Sequence, residues 1–371
     1  MARTRNVATL VFLVLLGAAA AFAYHGWRAR ARRAGHERAV ALFDRGEYAA
    51  ALGPLQAVYL AGPASPEGVD ALCRACVCLE ETGRGGEATD GWAKVISSPA
   101  AERYRARAAL ALARASLRGG RADEARRHLD AFPRGAGDSP LAAEALAVRA
   151  LILEREGDLD GALAAAAEAG RISPAAVMGE PGGIFVRALL SRTVTPGTEE
   201  YEVRAGDSLQ AVARRYGTTV ELLRRMNAKE PGRDSLRVGE RLKVCKMRFS
   251  ILIDKSENTL LLLADGRPAK LYRVGTGKKG STPAGDFRIT LKQEKPEWFR
   301  PGGGVIPYGD PENLLGTRWM AIDSPGYGIH GTWEPDSVGK QSSAGCVRMV
   351  NGDVEELYGL VPVGTPVKIT E

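Results

Sequence analysis

The sequence predicts a multidomain chain: an N-terminal membrane anchor or signal, an all-α region of repeated helical hairpins, a small α+β module and a mostly-β C-terminal domain. Three observations carry this reading. A Gly-centred turn recurs between Gly35 and Pro174 at nearly constant spacing. A strand–helix–helix–strand (βααβ) pattern fills residues 200–245. From Phe249 onward the apolar residues alternate with period two. A length of 371 residues accommodates two to four domains at roughly 100–200 residues each.

Composition narrows the class. With 45% hydrophobic and 26% charged residues, the chain can bury a core and wholesale disorder is excluded. The net charge of +7 is modest and its Lys and Arg are dispersed. No basic stripe interleaved with aromatics marks a nucleic-acid partner. Five cysteines form no disulfide framework. Cys73, Cys76 and Cys78 lie at helical spacing and read as small packing residues. No histidine lies near enough in sequence to make them a zinc site. Cys245 and Cys346 stand alone.

Residues 1–27 read as a signal anchor or signal peptide. Arg3 and Arg5 precede the uncharged apolar run Val7 to Ala23. Ala21-Phe22-Ala23 has the small-x-small form of a cleavage site. Alternatively the run stays as one membrane helix near the lower length limit of about 17 residues. Arg28, Arg30, Arg32 and Arg33 resist translocation and count against the orientation in which the rest lies outside. A retained anchor with an extracytoplasmic body is the reading taken.

Residues 35–174 are rich in Ala, Leu, Arg and Glu. Turns at Gly46-Glu47-Tyr48, Gly83-Arg84, Gly119-Gly120 and Gly157-Asp158 each precede an Ala-rich helix. Their first glycines are separated by 37, 36 and 38 positions. Such a repeat of helical hairpins resembles tetratricopeptide (TPR) repeats, with looser motif residues and a longer spacing. The resemblance implies a concave surface for a protein partner. Residues 175–199 hold several Pro and Gly and read as a linker.

In residues 200–245, Tyr201-Glu202-Val203 alternates. Asp207 or Ser208 can cap a helix Leu209–Tyr216, and Thr218 or Thr219 a second helix, Val220–Asn227. The run Tyr201-x-Val203-x-x-Gly206-Asp207-Ser208-Leu209, followed by Tyr216-Gly217-Thr218-Thr219, Asn227 and Val238-Gly239-x-x-Leu242, resembles a LysM domain. The resemblance implies binding of the N-acetylglucosamine-containing glycan of peptidoglycan. It places the sugar on the loops Gly206–Leu209 and Asn227–Leu236, with Gly206, Asp207, Ser208 and Asn227 as candidates.

Residues 248–371 read as hairpins, beginning with Ile251-Leu252-Ile253 and Thr259-Leu260-Leu261-Leu262 around a polar turn. One late helix runs from about Asp353 to Leu360. Within them, Gly328-Ile329-His330-Gly331-Thr332 is followed sixteen residues after the histidine by Cys346, in Ser343-Ala344-Gly345-Cys346-Val347-Arg348-Met349. The intervening loop is long enough to fold back. A cysteine attacks as thiolate and a nearby imidazole can take its proton. The Gly345 and Cys346 amides could bind an oxyanion, and Arg348 offers a fork for a carboxylate.

This stretch, with Gly275-Thr276-Gly277, Thr282-Pro283-x-Gly285-x-Phe287 and Asp353 to Leu357, resembles the L,D-transpeptidase catalytic domain of YkuD type. The resemblance implies Cys346 as nucleophile, His330 as its proton partner and Gly331 as a backbone positioner. Gly345 would share the oxyanion hole, and Arg348, Ser343 and Thr332 would place substrate. Trp333 would cover the stem peptide, and Trp298 and Trp319 would be core. The resemblance also implies a tetrapeptide donor ending in D-alanine, a thioester at the third residue, and resolution by an acceptor amine. Water as acceptor would give an L,D-carboxypeptidase. A wall-binding scaffold with little activity is the other alternative. No metal or organic cofactor is implied. Ala344 stands where much of the family has histidine.

Overall fold

The computed structural model of the protein describes residues 2–132, 137–230, 234–300 and 302–371, with the side chains of 2–21 and of 100 outside the description. The chain divides into two compact units, Met1–Gly135 and Ala136–Glu371.

The first unit is helical: α1 (Ala2–Asp44), α2 (Tyr48–Ala61), α3 (Pro66–Glu81), α4 (Gly85–Ile96), α5 (Arg105–Arg118) and α6 (Ala122–Asp130). Among the described residues no helix is long and apolar enough to cross a membrane. The predicted anchor or signal, Val7 to Ala23, falls almost wholly on positions whose side chains lie outside the described residues. Leu55, Trp92, Cys76 and Cys78 form part of the unit's core. Burial pushes the Cys73 and Cys76 thiols up to about 12, so these are packing groups rather than reactive ones.

The repeat is more regular than the first-glycine count suggested. The turn residues with positive φ are Gly46, Gly83, Gly120 and Gly157, at φ 75°, 77°, 75° and 84°. They fall 37 positions apart each time; Gly119, taken as the start of its turn, has φ −79°. In each turn the amide after the glycine reaches a carbonyl five residues back: Glu47 to Leu42, Arg84 to Leu79, Arg121 to Ser116, Asp158 to Leu153. This closes the preceding helix, and the left-handed residue it requires is cheap only for glycine.

The second unit opens with the hairpin α7 (Pro140–Arg155) and α8 (Leu159–Ile172), then a 3-10 turn at Pro174–Val177 and α9 (Glu180–Leu190). Most of the predicted linker is therefore structured. Val186 and Leu189 of α9 belong to one core with Leu222, Met226, Ile251, Val354, Leu357 and Leu360. Pro181 sits in the first turn of α9, where a missing N–H costs nothing. Gly182 lets α9 close on the turn before it: a Cβ there would lie 2.1 Å from the Val177 carbonyl oxygen.

Next come β1 (Thr198–Glu202), α10 (Leu209–Tyr216), α11 (Val220–Met226) and β2 (Arg241–Cys245), with β1 and β2 antiparallel. Ser208 Oγ caps α10 by accepting from the Ala211 amide, and Thr219 Oγ1 caps α11 through Leu222. Lys243 is buried. Its Nζ donates to the carbonyls of Ala188, Leu189 and Ser191 at 3.0–3.1 Å, where a cation satisfies the open end of α9. Burial lowers its pKa to about 8.

The remaining elements are β3 (Phe249–Asp254), β4 (Thr259–Ala264), β5 (Arg267–Arg273), β6 (Thr276–Gly277), β7 (Gly285–Glu294), β8 (Trp298–Phe299), β9 (Val305–Ile306), β10 (Arg318–Ile322), β11 (Gly328–His330), β12 (Gln341–Ser343), β13 (Val347–Arg348), α12 (Asn351–Leu360) and β14 (Pro366–Thr370). Eight strands form one mixed sheet in the order β13-β11-β10-β7-β14-β3-β4-β5. The parallel pairs β14–β3 and β11–β13 are the register choices that hairpin reasoning does not supply.

Candidate active site

The sheet register assembles the site. Trp319 of β10 pairs with Gln293 of β7 on one side and with His330 of β11 on the other. His330 pairs in turn with Arg348 of β13. Residues opposite one another share a face of a sheet, so Gln293, Trp319, His330 and Arg348 form one transverse row. All four line a cleft of about 560 Å³ together with Cys346, Glu297, Trp298, Phe299, Leu314 and Tyr327. Cys346 lies two residues before Arg348, just ahead of β13, so the parallel β11–β13 pairing brings its thiol to the same cleft as the imidazole.

His330 is buried. Its Nδ1 lies 2.6 Å from the Gly331 carbonyl oxygen. A carbonyl only accepts, so Nδ1 carries the proton and Nε2 keeps its lone pair. Burial pushes the His330 pKa down to about 4, against the pull of the Gly331 and Leu315 carbonyls and with help from the Arg348 charge. The ring lies beside Trp319, centroids 5.8 Å apart. Burial also pushes the Cys346 thiol above its ordinary value; the Gly328 amide and the Arg348 charge pull the other way. Its Sγ is 3.5 Å from the Gly326 carbonyl oxygen. Near neutral pH the imidazole and the thiol are therefore both uncharged.

Two glycines are sterically required. A Cβ on Gly331 would lie 2.2 Å from Asn351 Oδ1. Gly345 has φ +142°, and a Cβ there would lie 2.7 Å from the Tyr327 ring. Ser343 is buried and clamps the loop: its Oγ accepts from the Gly345 amide at 3.0 Å and donates to the Cys346 carbonyl at 2.7 Å. This corrects two expectations. Ser343 lines the cleft, but its hydroxyl is committed to the loop. The Gly345 N–H is taken by that hydroxyl, leaving the Cys346 N–H as the loop's remaining candidate oxyanion donor. Ser343→Ala is expected to slow carbapenem acylation by about 10- to 100-fold and to cost about 1–2 kcal/mol, because two buried groups lose their partner. Time-resolved intact mass and thermal unfolding read both; an unchanged acylation rate would remove the clamp from the site.

Arg348 lines the cleft and pairs with Glu334 through Nη1 at 3.2 Å, while its Nε is buried with no hydrogen-bond partner. Thr332 is turned to the backbone and accepts from the Glu334 amide. The three tryptophans exchange their expected places. Trp298 and Trp319 are half-buried cleft walls. Trp333 is 50% exposed and lies beside Tyr308, centroids 6.2 Å apart. It was expected to cover the cleft but is not among the residues that line it. An outward turn of one side chain is invisible in a loop of mixed polarity.

Asn313 was missed. It is 1% exposed, and its Nδ2 donates to the carbonyls of Pro296, Ile306 and Pro307 at 3.0–3.2 Å while Oδ1 accepts from the Leu315 amide. One side chain thus ties Pro296, Ile306, Pro307 and Leu315 together, next to Glu297, Trp298 and Phe299 of the cleft wall. An asparagine in a Gly- and Pro-rich stretch reads as a turn residue.

The predicted glycan residues of the βααβ module are mostly engaged in its own fold. Asn227 is a correction: Oδ1 accepts from the Lys243 amide at 2.8 Å and Nδ2 donates to the Leu223 and Lys243 carbonyls. Its amide is spent on tying α11 to β2. Asp207 accepts from Tyr201, Arg204 and Arg215, and Ser208 is the cap of α10. Gly206, at φ 85°, makes the exposed turn. Residues 231–233 of the second predicted sugar loop lie outside the described residues, as does Pro301.

Two regions of the chain match known protein families. The description of the L,D-transpeptidase catalytic domain, YkuD, matches residues 248–369, and that of the LysM domain matches residues 201–244. A Bacillus subtilis protein that carries the L,D-transpeptidase name YqjB is 41% identical over 127 residues, which are 33% of this chain and 70% of that one. A Bacillus licheniformis protein with the L,D-transpeptidase name YkuD is 34% identical over 179 residues, 46% of this chain and 98% of that one. Among solved structures, an L,D-transpeptidase from Mycobacterium tuberculosis H37Rv aligns at 19% identity and a TM-score of 0.30; the match spans 36% of this chain and 63% of that one.

Proposed function

The chain belongs to the YkuD family of peptidoglycan L,D-transpeptidases, and from that premise we propose that it joins stem peptides through a thioester on Cys346. The observation that carries the proposal is that Cys346 and His330 line one cleft, with the parallel β11–β13 pair setting their strands side by side. The donor is a tetrapeptide stem ending in D-alanine. The neutral His330 takes the thiol proton as sulfur attacks the third-residue carbonyl. The developing oxyanion meets the Cys346 N–H. The proton then goes to the departing D-alanine nitrogen. An acceptor amine resolves the thioester; water in its place gives an L,D-carboxypeptidase. Arg348, whose side chain lines the cleft, suits a stem carboxylate.

The LysM module holds glycan on the same compact unit that carries the cleft. That module and the catalytic domain place the work in the cell wall, outside the cytoplasm. The apolar run at residues 7–23 supports attachment to the membrane, and the three helical hairpins of residues 35–130, each closed by the same glycine turn, suit a protein partner.

The test is incubation of the full chain with purified disaccharide-tetrapeptides, followed by mass analysis. Release of D-alanine with dimers joined through two third-position residues is expected. Tripeptides without dimers would replace the transfer reading by the hydrolytic one, and unaltered tetrapeptides would overturn the proposal.

A further inference from the structure

Glu297 differs from the carboxylates around it. Glu294 pairs with Arg318, Glu312 with Arg300 and Glu334 with Arg348. Glu297 lines the cleft, is exposed, and has no cationic partner among the described residues. Its position is built rather than incidental. The Lys295 amide donates to the Thr317 carbonyl at 3.0 Å, and the neighbouring Pro296 carbonyl accepts from the buried Asn313. The charge thus stands at a set place on the wall that also carries Trp298, Phe299 and Leu314. Arg348, the cation of the cleft, already has Glu334 as counter-charge. Glu297 is the carboxylate of the cleft left for a cationic ligand.

We infer that Glu297 is a specificity-determining residue for the transfer step, binding the acceptor amine in its ammonium form and so favouring it over a neutral nucleophile. The inference rests on the transpeptidase reading and adds the residue that selects its acceptor. The carboxylate pairs with the ammonium, and the apolar wall takes the methylenes. The bound ammonium first loses one proton to solvent. The neutral nitrogen then attacks the thioester carbonyl, so that a C–N bond forms and the C–S bond breaks. Sulfur leaves as thiolate. The surplus proton on nitrogen passes to His330 and on to Cys346, restoring thiol and neutral imidazole.

The experiment measures transfer from a tetrapeptide donor to an aliphatic primary amine and, in parallel, to hydroxylamine, which is neutral near pH 7.5. It uses the full chain and its Glu297→Gln and Glu297→Lys forms. For Glu297→Gln the KM for the cationic amine is expected to rise roughly 5- to 10-fold, as for loss of one partly screened charge pair. Glu297→Lys should raise it further, and hydroxylamine transfer should move by less than about twofold. Salt should raise the wild-type KM for the amine and leave that of Glu297→Gln nearly flat. Equal KM values for the amine in wild type and Glu297→Gln, or equal losses for both nucleophiles, would overturn the inference. A wild-type chain that forms no Cys346 thioester would instead overturn the transpeptidase reading beneath it.

Discussion

Cys346→Ala is expected to abolish D-alanine release, cross-link formation and covalent capture of a carbapenem, with turnover falling by at least about 10⁴-fold, as for loss of a nucleophile that works as a unit with its base. The cysteine inventory makes this test sharp. Cys73, Cys76, Cys78 and Cys245 are buried, and burial pushes the thiols of Cys73 and Cys76 to about 12 and that of Cys245 to about 11. Cys346 opens on the cleft. The folded wild type should therefore gain one carbapenem mass per chain, although it carries five thiols, and Cys346→Ala should gain none. An adduct persisting in Cys346→Ala at the wild-type rate would end the assignment of the nucleophile.

The second large effect is that of His330→Ala: acylation at pH 7 should fall by about 10²- to 10⁴-fold, the range for loss of a positioned general base. The pH profile identifies the role. With the imidazole pKa pushed down to about 4, the ring is neutral and ready to accept a proton at every pH above that. Wild-type acylation should show no acid limb near 6.5, the ordinary histidine value. Without the ring, the thiol must ionise unaided from a pKa already raised by burial. The rate of His330→Ala should then climb about tenfold per pH unit through the neutral range, narrowing the gap to wild type as pH rises. Retained wild-type acylation at pH 7, or a wild-type limb near 6.5, would separate His330 from proton transfer.

Several features were legible because the responsible physics is local. A positive-φ glycine after a helix, a Ser or Thr before one, and alternation along a strand are decided within a few residues. This is why the helical hairpins, the βααβ module and the caps at Ser208 and Thr219 could be read directly. The motif around His330 and Cys346 was legible for a different reason, since its residue types and spacing resemble a known family. Features decided by distant partners were not. The segment 175–199 has a linker's composition, yet α9 is buried because Val186 and Leu189 meet α11, α12 and the sheet. Asn227 and Ser343 are polar residues in suggestive motifs, and only the coordinates show their atoms committed to the fold.

The sequence by itself determined the modules, the turn at each helical hairpin and the residue types for thiol chemistry, because each depends on short-range sterics and periodicity. The tertiary structure alone decided which strands lie side by side. The antiparallel β7–β10–β11 pairs and the parallel placement of β13 against β11 set the row from Gln293 to Arg348. The Ser343 hydroxyl took the Gly345 amide out of the oxyanion role, and the segment held by Asn313 put Trp298 on the cleft wall and left Glu297 without a cationic partner among the described residues. Strand register and burial are long-range outcomes, settled by how a whole sheet covers one core. No window of neighbouring residues contains them.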